Sequence, residues 1–512
     1  MNKGNFYITT PIYYPSGAPH MGHAYSSIFA DVFARFKRND NYKVFFLTGT
    51  DEHGLKIQKA AEKNNSKPLE YCDKISRVFK DLTKKLNLSN DDFIRTTEQR
   101  HHKAVNDLWN KLVDSGDIYL SKYKGWYSVS DEAYYNSDEV IEKNGKKIST
   151  FSGSLVEWVE EDSFFFKLSA WEKKLLDFYE KNNNFILPTS RKNEVINFVK
   201  SGLKDLSVSR TSFTWGIRVP NDKKHVIYVW LDALTNYLSA LKYPDTKNIL
   251  YKNFWPASLH IIGKDILRFH AIYWPAFLLA ADIKPPKRVF GHGWILSGEE
   301  KMSKSKGNIL NPIEVIDKYG IDELRYYLMK EVSHGSDGNI SLSNLEKCIN
   351  SDLANNYGNL CQRVFSFIKN NCNNEVKKTK NLSKADKDLI SKSNALTKDL
   401  RLFMDNQNLN SYIKSVIDIS FLTNKYINDE EPWSLKKTNI DKMNNILHLS
   451  LEQIAKISIL LNPIMPKSTS KVLDALNIKE KNRNYSFLDG SKIIPDKINI
   501  SSLNILFKKN EL

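Results

Sequence analysis

Two short clusters in this sequence hold residue types suited to phosphate chemistry. The first is Pro19-His20-Met21-Gly22-His23. The periodicity that follows predicts a helix from Met21 to Arg38, which sets the two histidines in its first turn and on one side. A helix start offers unpaired N–H groups and the positive end of the helix dipole. Gly22 removes the side chain that would hold a nucleotide off the backbone. The second cluster is Lys301-Met302-Ser303-Lys304-Ser305-Lys306-Gly307-Asn308, preceded by Gly298-Glu299-Glu300. Three lysines within six residues of a Gly- and Ser-bearing loop make a cationic flap, suited to charge developing on a leaving pyrophosphate. Each cluster alone has a plainer reading: two incidental histidines, and a solvated basic turn.

The elements that must position these clusters read as alternating strands and helices. Phe6–Thr10 is a predicted strand, followed by the Met21–Arg38 helix, a Val44–Thr48 strand and a Gly54–Asn64 helix. The pattern resumes with a Val226–Trp230 strand, a Leu231–Leu241 helix, a Leu259–Gly263 strand, an Asp265–Ala280 helix and an Arg288–Gly291 strand. Strands separated by helices imply βαβ units and a doubly wound α/β fold with a parallel sheet. Ligands of such sheets bind beyond the C-terminal strand ends, at the switch point. Residues 117–190 have another texture, rich in aromatic and turn residues, which predicts a small mixed β insertion. After Glu331, SHGSDGNIS reads as a linker, and residues 343–465 are almost continuously helical in pattern, as in a bundle. The expected layout is a Rossmann-like catalytic domain in two halves, 1–113 and 226–332, split by a connective insertion at 114–225. A linker at 333–355 and an all-α bundle at 356–512 complete it.

Composition agrees with a multi-domain protein. A length of 512 residues suggests about three domains, and 41% hydrophobic with 26% charged residues is ordinary for packed globular cores. No apolar run of membrane-spanning length occurs, and MNKGNFYITT has neither an apolar signal core nor an Arg/Ser-rich amphipathic arm. A cytoplasmic location is expected. The cysteines, Cys72, Cys348, Cys361 and Cys372, form no CxxC pair, which fits a reducing compartment and excludes a Cys-rich zinc knuckle. The net charge is +16, and residues 351–512 hold 25 Lys/Arg against 17 Asp/Glu. Half of the excess therefore sits in the C-terminal third, which suits a polyanion partner; biased base composition accounts for it equally well.

Taken together the two clusters resemble the signature pair of class I aminoacyl-tRNA synthetases. The segments TTPIYYPSGAPHMGHAY, FLTGTDEHG, LSVSRTSFTWGI, YVWLDALTNY, HIIGKDILRFHAIYWPAFL, HGWILSGEEKMSKSKGN and NDEEPW resemble methionyl-tRNA synthetases, in that family's order, over about residues 5–435. The resemblance implies methionine activation by ATP to methionyl-adenylate, then transfer to the terminal adenosine of initiator and elongator tRNA(Met). It implies that His20, Gly22, His23, Lys301 and Lys304 bind ATP, which arrives with Mg²⁺, and that His20, His23, Lys301, Lys304, Asp265 and Arg210 form the catalytic set. Asp51 is implied as the partner of the methionine ammonium, chemistry that an acid at a strand end can perform, as it can cap a helix. Ile12, Tyr14, Trp230, Ala233, Leu234, Tyr237, Ile266 and His270 are implied as the side-chain pocket. The Ile12 N–H and the Tyr237 hydroxyl are the implied donors to the sulfur. Without the resemblance, the helical spacing of Trp230, Ala233, Leu234 and Tyr237 reads as ordinary core. Asn359, Arg363 and Trp433 match anticodon-reading positions, where bases are stacked and read at their edges; for Trp433 core packing is the alternative. The linker becomes a stem-contact region and the bundle an anticodon-binding domain.

There are departures too. The family's zinc-binding CxxC pairs are missing from the insertion, which reads Trp126-Tyr127-Ser128-Val129-Ser130-Asp131-Glu132, so the chain resembles the zinc-free bacterial or mitochondrial subgroup. The family's C-terminal dimerising module is also missing, and a monomer is expected. The leucyl, isoleucyl and valyl enzymes need more room for editing than residues 114–225 offer, and the cysteinyl enzyme needs thiolate zinc ligands. A small-molecule nucleotidylyltransferase shares the His-x-Gly-His start but has no need of the helical third. A non-catalytic RNA-binding paralogue is expected to have lost the motif residues kept here.

Overall fold

The structure is a computed structural model that describes residues 2–297, 300–301, 310–332, 335–379 and 381–509. The chain divides into two compact units, one of Asn5–Ala30 and Val44–Gly293, the other of Met1–Gly4, Asp31–Lys43 and Trp294–Leu512. Segment 294–332, expected to complete the catalytic domain, thus groups with the helical unit.

The first unit is built on a six-stranded sheet. Its strands, in chain order, are β1 (Asn5–Tyr13), β2 (Lys43–Thr50), β3 (Asp92–Arg95), β4 (Ile186–Leu187), β5 (Leu259–Gly263) and β6 (Val289–His292). They lie in the order β3-β2-β1-β5-β6-β4, and the pairs β2–β3, β1–β5, β5–β6 and β6–β4 run parallel. Strands covered on both faces read as unbroken buried runs, and Tyr7, Ile8, Thr9 and Thr10 in β1 are all fully buried. From β1 the chain runs outward to β2 and β3 on one side, then crosses to β4 at the far edge, β5 beside β1 and finally β6 between β5 and β4. The switch point therefore lies between β1 and β5, and a ligand cleft is expected off their C-terminal ends.

Three local differences from the sequence reading matter. β3 and β4 are short strands that the hydrophobic pattern does not announce, and β4 brings part of the 114–225 segment into the parallel sheet. The expected Val226–Trp230 strand is also different: the strand is Asp222–Ile227, which pairs antiparallel with Ser209–Arg210 and Arg218–Val219, and a helix begins at Val229. A continuous apolar run such as Val226–Leu231 does not distinguish a buried strand from a buried helix. Finally, the expected Asp265–Ala280 helix is a 3₁₀ turn at Lys264–Ile266, a π-helical turn at Phe269–Tyr273 and an α-helix at Trp274–Ala280. The rest of the insertion is not β alone: the helices Glu172–Lys181 and Thr189–Lys200 accompany its strands. Its antiparallel sheet pairs Ile118–Ser128 with Glu157–Phe166, edged by Ala133–Tyr135 and Leu206–Ser207.

The second unit is mainly helical. Two 22-residue helices, Leu409–Glu430 and Ile440–Leu461, form its centre, with Asn359–Asn371, Lys384–Thr397 and Pro466–Ala475 around them. The helix α1 (Met21–Asn39) sends its second half into this unit, where Asp31 meets the buried Arg325 at 2.7 Å. Arg325 also donates to the carbonyls of Pro463 and Ile464, in the turn between the Ile440–Leu461 and Pro466–Ala475 helices. Lys301 lies in a short strand, Glu300–Lys301, paired with Ile295–Ser297; the latter also pairs with Gly338–Ile340, so the expected linker contains a strand. Among the described residues no helix is long and apolar enough to cross a membrane.

Candidate active site

Two adjacent carboxylates follow β2, and the fold treats them differently. Glu52 receives Arg95 at 2.7 and 3.0 Å, Thr97 at 2.6 Å and Thr50 at 2.7 Å. Asp51 is 2% exposed, and among the described residues its Oδ1 has no hydrogen-bond partner. Burial, reinforced by the charges of Asp232 and Glu132, pushes its pKa well above the usual carboxylate range. A buried carboxylate with an open lone pair is costly unless a cation arrives to meet it.

Asp51 lines a cavity at the switch point, together with Pro11, Ile12, Tyr14, Trp230, Ala233, Leu234, Asn236, Tyr237, Ile266 and His270. The cavity is narrow and partly open to solvent, with only about 20 Å³ accessible to the centre of a water-sized group. Pro11, Ile12 and Tyr14 come from the end of β1 and Ile266 from the turn after β5. Trp230, Ala233, Leu234 and Tyr237 come from two successive short helices, Val229–Leu234 and Asn236–Ser239. The Trp230 ring stacks on Phe269 at 3.8 Å and 5°, and among the described residues its indole N–H has no partner.

The polar end of the cavity has a defined proton arrangement. His270 Nδ1 lies 3.0 Å from the Ile266 carbonyl and must donate to it. Burial lowers the His270 pKa to about 4, so at neutral pH Nε2 is bare and accepts from the Tyr237 hydroxyl at 2.8 Å. The Tyr237 proton expected for a ligand sulfur is thus committed to His270 in this state, and the hydroxyl must turn to give it up.

At the start of α1, the His20 and His23 rings lie with centres 3.8 Å apart, tilted at 31°. The His20 N–H donates to His23 Nδ1 at 3.0 Å and the Gly22 N–H to His20 Nδ1 at 3.1 Å. A Cβ on Gly22 would press on the His20 ring at 2.9 Å, so glycine is needed for this ring position. Asp265 follows β5; a Cβ on Gly263 would come within 2.5 Å of its Oδ1, and its charge acts on both His270 and His292. Arg210 does not line the cavity. It is buried in the insertion, where it pairs with Glu161, donates to Ser212 at 2.9 Å and covers the Tyr127 ring at 4.0 Å. Lys304 lies outside the described residues, and of Lys301 only the backbone is described.

In the helical unit, Asn359 is exposed and Arg363 lies on the same helix. Arg363 donates to Asn428 Oδ1 at 2.8 Å and stands 5.7 Å from the Trp433 ring. Trp433 is 45% exposed, which removes core packing as its explanation.

The sequence reading missed Asn236, whose Oδ1 has no partner among the described residues, and the aromatic partner Phe269. It also missed His53 and His101, which flank a buried Asp232. A polar residue inside the apolar 226–241 run was the available signal for both Asn236 and Asp232.

Comparison with known proteins gives the family. The model of the family described as tRNA synthetases class I (M) matches residues 6–146 and 145–365, and that of the anticodon binding domain of methionyl tRNA ligase matches 376–511. The methionine–tRNA ligase of Rickettsia typhi is 49% identical over 99% of this chain and 100% of its own length. That of Brucella suis is 48% identical over 95% and 94%. A solved structure of Mycobacterium tuberculosis methionyl-tRNA synthetase in complex with methionyl-adenylate superposes with a TM-score of 0.96, at 42% identity, over 98% of this chain and 99% of that one. The chain belongs to the methionyl-tRNA synthetase family of class I tRNA synthetases.

Proposed function

We propose that this chain activates methionine with ATP and transfers it to tRNA(Met), initiator and elongator. The observation that carries the reading is Asp51, a buried carboxylate without a partner on Oδ1, facing a small aromatic cavity. The ammonium pairs with Asp51, while Trp230, Ala233, Leu234 and Ile266 enclose the apolar chain. Tyr237 and the Ile12 N–H address the sulfur, a weak acceptor. The methionine carboxylate attacks the α-phosphorus of ATP in line, releasing pyrophosphate and leaving methionyl-adenylate. The terminal ribose hydroxyl of tRNA then displaces AMP. His20, Gly22 and His23 receive the nucleotide at the helix start, with Lys301 and Lys304 on the phosphates; Asp265 and Arg210 complete the set. Mg²⁺ enters with ATP. Positioning and charge stabilisation suffice, since the protein supplies no covalent intermediate.

Asn359, Arg363 and Trp433 read the anticodon, by an exposed stacking plane and edge-directed polar groups. We further propose a zinc-free, monomeric, cytoplasmic enzyme, divided into the catalytic, insertion, stem-contact and anticodon domains given above. The zinc-free reading rests on the absence of cysteine from 114–225. Elemental analysis of untagged protein is expected to find well under one zinc per chain, and stoichiometric zinc surviving dialysis contradicts it. Pyrophosphate exchange into ATP, assayed with each amino acid, tests the main reading. Exchange that depends on methionine is expected, and exchange driven equally by leucine or isoleucine refutes it.

A further inference from the structure

Behind the cavity lies a buried charged chain. Asp232 is on the same helix as Trp230, Ala233 and Leu234 and is fully buried. Its Oδ2 lies 2.7 Å from His53 Nδ1 and its Oδ1 2.6 Å from His101 Nε2, both rings buried. His53 stands two residues after Asp51, and its backbone N–H reaches the Asp51 carboxylate. Asp232 therefore ties the Asp51 loop to a helix that walls the cavity.

The protons on this chain can be counted. The Ser239 hydroxyl donates to the Thr235 carbonyl at 2.9 Å, because a carbonyl only accepts. Its oxygen must then accept from His101 Nδ1 at 2.9 Å, so Nδ1 carries a proton. The Nε2 of the same ring faces a carboxylate oxygen, again an acceptor. A neutral imidazole has one N–H, so a second proton lies between His101 and Asp232. Burial acting alone raises the Asp232 pKa, but the charges and hydrogen bonds of His53 and His101 outweigh it and hold the carboxyl well below its ordinary range. The proton thus belongs to His101, and the pair has no net charge.

We propose that His101 and Asp232 are positioning residues for the substrate ammonium: their imidazolium–carboxylate pair, linked through His53, holds the Asp51 loop and leaves Asp51 as the uncompensated carboxylate at the cavity. The proposal rests on Asp51 being the ammonium partner. The groups acting on Asp51 are Asp232, Glu132, Tyr14 and the His53 backbone. Those acting on Asp232 are His53 and His101, with the His102 ring 5.6 Å from that of His53. If the His101 proton is removed, Asp232 presents a full like charge to Asp51. Asp51 then holds its own proton to higher pH, and the ammonium loses its partner.

Wild-type methionine-dependent exchange tests the underlying reading by itself, and the variants test the positioning. His101→Gln still donates to Asp232 but brings no charge. Its kcat/KM for methionine is expected to have an acid limb displaced upward by about one pH unit, a tenfold rise in methionine KM on that limb. The ATP KM and the kcat at saturating methionine should stay within about twofold. Adding Asp232→Asn removes the excess charge and gives the introduced glutamine an amide partner, so the limb should return to its wild-type position. A double variant as impaired as the single one, or a single variant whose two KM values and kcat worsen together with the melt, overturns the proposal in favour of simple packing. If His101→Gln does not fold, ¹⁵N-histidine NMR of the wild type decides. Both His101 ring nitrogens protonated at pH 7.5 is the expected result, and a bare Nε2 refutes it.

Discussion

At the cavity, polar groups are buried and left unsatisfied: among the described residues, Asp51 Oδ1, the Trp230 indole N–H and Asn236 Oδ1 have no partners. On the helical unit, Arg363 already bonds Asn428 and Trp433 is 45% exposed, so neither carries an unmet need. The contrast separates two kinds of recognition. A small ligand must be enclosed, so its groups are matched by orphaned ones whose cost is met only when it binds. A large polyanion can be met at the surface, where exposed planes and mobile donors suffice and folding stability is not drawn upon.

The sharpest break in this contrast is Asp51→Asn. Losing a desolvated charge partner should reduce methionine-dependent exchange by about 2–5 kcal/mol in kcat/KM. The melt should move the other way. A carboxyl whose folded pKa is raised contributes stability that is complete below its unfolded pKa and is lost as pH rises through the folded value, so at neutral pH the ionised group is a burden. Asp51→Asn should therefore melt at or above the wild type at pH 7.5. A lower melt would mean that Asp51 is structural.

On the other side of the comparison, Trp433→Ala should cost about 1–3 kcal/mol in aminoacylation through lost base stacking. An exposed site should shift stability by no more than about 0.5 kcal/mol. Pyrophosphate exchange, which needs no tRNA, should be unchanged. Exchange and aminoacylation falling together in one preparation would erase the distinction between the two regions.

Two smaller effects refine the cavity itself. Tyr237→Phe leaves His270 Nε2 without its donor and should raise the methionine KM by about 0.5–1.5 kcal/mol, with ATP KM unaffected. Methionine affinity should also weaken as pH falls, starting above the pH at which an ordinary aspartate titrates, because burial, Asp232 and Glu132 hold the Asp51 pKa up. His270 does not produce that limb, since it charges only near pH 4. A methionine KM that stays flat as pH falls to the ordinary aspartate range would contradict the assignment of the limb to Asp51.

Much of this site was readable in the sequence because its parts sit where chain patterns change. The Pro19–His23 motif marks a helix start, and β1, β2, β5 and β6 are strongly apolar runs. The eight side chains expected to form the pocket all line one cavity. The helix at Val229 was not readable, because a fully buried helix and a buried strand share the same unbroken apolar pattern. β4 has two residues, too few to leave a pattern, and only pairing with β6 makes it a strand. His101 lies about fifty residues from Asp51 and reaches it only through Asp232, a relation that tertiary packing creates. The Tyr237 proton followed from the His270 tautomer, which depends on a carbonyl in the turn after β5.

The central claim is that an unpaired buried carboxylate grips the amino group of methionine. Calorimetric titration with methionine and with 4-(methylthio)butanoate, which keeps the thioether chain and lacks the ammonium, tests it directly on the wild type and on Asp51→Asn. The wild type should prefer methionine by about 2–5 kcal/mol, and the variant should bind the two almost equally. A wild type that binds both alike, or a variant that keeps the full preference, would contradict the account.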